Sequence, residues 1–135
     1  MNKRIFCANT TLTAGIFIFL GGIAHSVLGL PDLRAAIARG EIGAPVAGGI
    51  LLVWAFAGLC MDVLGILVIL FSAEIRKGLR AGWVKAMIVG ALFLLFGLSA
   101  WAWSYPNPHY LSFVAVGTLL YLPLAVYYKH FGEPH

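Results

Sequence analysis

The chain has 135 residues, of which 61% are apolar by type and 10% charged, with a mean hydropathy of +0.95 and a net charge of +4. Soluble domains run closer to half apolar and a quarter charged, so a globular soluble enzyme is excluded. Residues 1–135 leave no room for a soluble domain beside a membrane anchor and are predicted to form one all-helical integral membrane domain.

The first apolar run, residues 5–30, is long enough for a membrane helix, and Pro31 is expected to end it. Asn2-Lys3-Arg4, the apolar stretch and Ala24-His25-Ser26 also have the form of a secretory signal. The run continues past that cleavage pattern to Leu30, which favours a retained helix. In the following loop, residues 32–39 place Leu33, Ala36 and Ile37 on one helical face, and predict a short interfacial helix whose charges cancel.

Pro45 opens the second run, residues 46–72, and Gly78 and Gly82 flank the turn into the third, residues 82–103. Tyr105-Pro106-Asn107-Pro108 predicts a tight turn into the fourth, residues 110–128, where Pro123 is expected to kink the helix. The tail, residues 129–135, is expected to fray. The prediction is a four-transmembrane-helix bundle.

Seven Lys and Arg residues (Lys3, Arg4, Arg76, Lys77, Arg80, Lys85 and Lys129) fall on one side of this topology, against Arg34 and Arg39 on the other. By the positive-inside rule both termini are cytoplasmic, in a plasma membrane such as the bacterial inner membrane. Orientation accounts for the basic charge, and no nucleic-acid partner is expected. The expected partners are membrane lipids and either further copies of the chain or another membrane protein.

Glycines recur at intervals of seven: Gly15, Gly22 and Gly29, then Gly58 and Gly65, then Gly90 and Gly97. Seven residues are close to two helical turns, so each set marks one face on which helices can approach closely. A weak internal repeat relates residues 22–30 to residues 58–66, in which Gly, Val, Leu and Gly match identically.

Asp62 is the one acid inside an apolar run, and an intramembrane carboxylate costs about 2.5 to 3.5 kcal/mol to insert, which makes it the first candidate for a ligand or proton site. Counting rise per residue sets it level with Gly15, Gly90 and Ala125, with Thr11, Thr13, Tyr121 or Lys85 as possible bonding partners. His25 lies between Gly22 and Gly29, and on this count Trp54 and Trp101 converge on it, with Tyr105, His109 and Tyr110 as a rim. The same count separates His25 from Asp62 by about 13 Å or more, which disfavours a catalytic dyad. Thr118 and Tyr121 precede Pro123 and are candidates to bond the Leu119 carbonyl that it frees.

Cys7 and Cys60 read as small packing residues, and no CxxC or Cys/His metal spacing is present. No cofactor is indicated. So few polar groups favour a non-enzymatic protein that binds a lipophilic ligand or serves as an accessory subunit. A proton-coupled transporter or channel using Asp62, and a metal- or haem-binding protein using His25, are the alternatives.

Overall fold

A computed structural model describes residues 2–104 and 107–131. Among them there is no strand, and four helical segments are long and apolar enough to cross a membrane: Lys3–Ala38, Ala44–Arg76, Arg80–Trp103 and Pro108–Val126.

Helix α1 (Lys3–Ala24) starts under Asn2, whose side chain accepts the Arg4 N–H at 3.1 Å. It does not stop at Pro31. A wide π turn over His25–Gly29 leads directly into α2 (Leu30–Ala38), with Pro31 in the first turn of the new segment. Proline brings no N–H and crowds the carbonyl four residues back; the π turn, one step upstream, loosens the backbone where that clash would fall. The short helix expected after a break is therefore a continuation of the first.

Gly40, at φ 76°, closes α2, and Pro45 occupies the first turn of α3 (Ala44–Arg76). Gly78, at φ 78°, turns the chain into α4 (Arg80–Trp103). A short 3₁₀ turn (Pro108–Tyr110) enters α5 (Leu111–Val126), which continues past Pro123.

The closest helix pairs are α1 with α3 and α4 with α5, each packed through its glycines. A Cβ on Gly15 would lie 2.9 Å from the Ile69 nitrogen, one on Gly65 2.5 Å from the Phe19 nitrogen, and one on Gly97 2.8 Å from the Val114 nitrogen. Gly117 makes the matching approach from α5, its Cβ position 2.8 Å from the Leu94 nitrogen. Backbones at this separation exclude any side chain, and close dispersion contact holds such seams together.

The two pairs join at one end only. Buried apolar side chains lie toward the end that carries the N-terminus and the α3–α4 turn: Cys7, Ala14 and Ile18 on α1, Val68 and Ile75 on α3, Ala86 and Val89 on α4, Leu120 and Leu124 on α5. Polar contacts close the same end. Arg4 donates to the His130 carbonyl at 3.0 Å, Arg76 to Asn9 at 2.9 Å, and Lys85 pairs with Glu74 at 2.9 Å. Trp83 Nε1 donates to the Leu124 carbonyl at 3.0 Å, satisfying a group near the helix terminus. Phe131 is buried in this core, so the tail is anchored through that residue rather than frayed; residues 132–135 lie outside the described residues.

Candidate functional site: an aromatic cleft between two helix pairs

At the opposite end the pairs separate, leaving a cleft with two overlapping lobes of about 520 and 470 Å³. His25, Trp54, Met61, Phe93, His109 and Phe113 line both lobes and come from the end of α1, the middle of α3, the middle of α4 and the entry to α5. The volumes fall in the range typical of small-molecule sites, which are mostly apolar with a few placed polar groups.

His25 and Trp54 form the wall between α1 and α3. Their rings stack at 4.1 Å between centroids with 13° between planes. The Trp54 indole N–H donates to the His25 carbonyl at 3.1 Å, and His25 Nε2 lies 3.2 Å from the Trp54 carbonyl. A carbonyl oxygen only accepts, so Nε2 carries a proton in this contact. Gly29 makes room for this arrangement, since a Cβ there would lie 2.5 Å from the indole. His109 and Phe113 face each other edge-on at 6.1 Å across the α5 wall, and Phe93 meets Phe113 at 5.9 Å.

Asp62 stands on the α1–α3 seam, one residue from the cleft-lining Met61. A Cβ on Gly22 would collide with Asp62 Oδ1, and a Cβ on Gly58 would collide with Ser26 Oγ. The two segments of the weak repeat thus cross reciprocally, each glycine receiving the polar side chain of the other helix. Asp62 Oδ1 is buried without a hydrogen-bond partner, as is Thr11 Oγ1. Lys85, considered above for Asp62, pairs instead with Glu74.

This register corrects the depths counted from sequence. Asp62 is level with Gly22 rather than Gly15, a displacement of seven residues or about 10 Å. His25 is therefore about 4.5 Å of helical rise beyond the level of Asp62, not about 13 Å. The count began at Pro31 as the end of the first helix, whereas the π turn carries that helix on to Ala38. His25 is nevertheless engaged with Trp54, and no hydrogen bond joins it to Asp62.

The remaining candidates are distributed. Trp101 is half-buried on α4 and does not line the cleft. Thr118 is on the exposed face of α5, while Tyr121 packs its backbone on Gly90, whose Cβ position is 3.0 Å from the Tyr121 nitrogen. Thr13 is exposed, and Tyr105 lies outside the described residues. Cys7 is fully buried with its thiol 3.5 Å from the Pro123 carbonyl; Cys60 is exposed and borders the cleft rather than packing in a core. Phe93 and Phe113 were not singled out from sequence, because aromatic residues in apolar helices carry no mark of which way they face. Among the described residues, no group of three or more His, Cys, Asp or Glu is placed to hold a metal ion.

The class of protein that emerges is an all-helical chain with four helices suited to a membrane and a cleft between two helix pairs. Comparison with protein-family models, with curated proteins and with solved structures finds no match.

Proposed function

We propose that this is a small non-enzymatic membrane protein that binds a lipophilic ligand in the cleft between α1–α3 and α4–α5. The observation that carries the reading is the cleft itself: about 520 Å³, walled by aromatic and aliphatic side chains, with two imidazoles among them. Its membrane setting is supported by the exposed apolar exterior, where Leu52 and Trp103 are 72% and 93% exposed. The lysines and arginines gathered at the closed end support cytoplasmic termini, with the cleft toward the opposite face. Function as an accessory subunit is compatible with the same site if the ligand belongs to a larger complex.

Native mass spectrometry of the protein, gently extracted from its own membrane, tests the reading. A bound apolar small molecule is expected, and it should be absent from Met61→Trp, in which an indole fills the cleft while circular dichroism stays helical. Retention of the same mass by Met61→Trp places the ligand elsewhere. A heteromeric mass without small ligand replaces the reading with the accessory one.

A second reading, proton-coupled transport, is favoured by the buried, unpartnered Oδ1 of Asp62. It requires that Asp62→Asn abolish a pH-driven flux in liposomes while the protein still inserts; unchanged flux removes Asp62 from any transport mechanism.

A further inference from the structure

The chemistry of the ligand follows from which polar groups of the cleft are already engaged, and this inference rests on the lipophilic-ligand reading above. Trp54 gives its indole N–H to the His25 carbonyl, and His25 gives Nε2–H to the Trp54 carbonyl. Ser112 gives its hydroxyl proton to the His109 carbonyl at 2.7 Å. The polar capacity left along the larger lobe is therefore mainly accepting: the Ser112 oxygen and the Asp32 carboxylate. His109 and, in the smaller lobe, Tyr110 can both donate and accept.

Charge points the same way. Asp32, in the first turn of α2, is the one formally charged side chain in the lining of the larger lobe, and neither lobe is lined by Lys or Arg. Of the two arginines on this side of the molecule, Arg39 is ion-paired with Glu41 and also interacts with the charge of Asp32, and Arg34 lies two residues from Asp32 on α2; neither lines the cleft. An anionic ligand would meet the Asp32 carboxylate and no lysine or arginine in the lining itself. A cation would meet that carboxylate in a lobe lined by the rings of Trp54, Phe93 and Phe113, one face of Trp54 being covered by His25, and attraction between a cation and an aromatic ring grows as water is excluded.

We propose that the cleft selects lipophilic cations: ring-bearing apolar molecules with a quaternary or delocalised positive charge. Shape and apolar area supply the affinity, while Asp32 and the aromatic faces supply the sign preference.

A pair of probes with one shape and opposite charge isolates this. Tetraphenylphosphonium and tetraphenylborate are titrated against the protein in nanodiscs of neutral lipid, with empty discs subtracted and neutral tetraphenylmethane as comparator. The phosphonium is expected to bind saturably, about tenfold or more tighter than the borate. Asp32→Asn, at an exposed position, should narrow that ratio, and Met61→Trp should remove the saturable component. Equal or tighter binding of the borate overturns the charge preference and leaves the lipophilic cleft standing. Binding of the neutral comparator alone does the same. Saturable binding of none of the three overturns the cleft reading together with this one.

Discussion

His25 and Trp54 hold each other twice: the indole N–H bonds the His25 carbonyl, the imidazole bonds the Trp54 carbonyl, and the rings stack at 4.1 Å. The pair fastens α1 to α3 at the π turn, where the regular helical ladder changes register. It sets the position of the cleft wall and turns His25 Nε2 toward the Trp54 carbonyl.

Trp54→Phe keeps an aromatic ring against His25 and removes the indole donor. A part-buried carbonyl then loses a partner, at a cost of about 1–2 kcal/mol. Unfolding in mixed micelles measures this, and a midpoint equal to that of the parent protein would mean the indole bond contributes nothing.

Gly65→Ala tests the seam. Its Cβ would meet Phe19 backbone atoms at 2.5 and 2.7 Å, which a side-chain rotation cannot relieve, so helices α1 and α3 must separate. Overpacking of this kind costs about 1–3 kcal/mol. Gly48→Ala, on the same helix with nothing within 4 Å, is the control and should be neutral or up to about 1 kcal/mol stabilising by the same unfolding assay.

Asp62→Asn preserves volume and removes no hydrogen bond from Oδ1, which makes none. Stability should be unchanged or slightly raised, since an amide is cheaper than a carboxylate to bury. A loss of more than about 1 kcal/mol would reveal a partner that depends on the carboxylate, such as an ordered water.

Glu74→Gln breaks the ion pair with Lys85 at the closed end. The two side chains are 31% and 46% exposed, so the pair is worth at most about 1 kcal/mol and less in high salt. A large effect on unfolding, insensitive to salt, would show that Glu74 also supports the Gly82 contact beneath it, where a Cβ would sit 2.5 Å from Glu74 Cβ.

The four apolar segments and the glycine faces were legible in the sequence, because these depend on chain length, local composition and a period near two helical turns. It also singled out His25, Trp54 and Asp62, since polar or amphipathic side chains inside apolar runs stand out against their neighbours. The axial register of α1 against α3 was decided only in three dimensions. A proline read locally is a stop signal, whereas here a π turn absorbs it and carries the helix on to Ala38, moving Asp62 level with Gly22. The cleft was equally invisible in sequence: Phe93 and Phe113 look like any apolar aromatic until two glycine-packed pairs join at one end and part at the other. Close packing is a relation between helices, and which end of a bundle it leaves open depends on where buried side chains from all four meet.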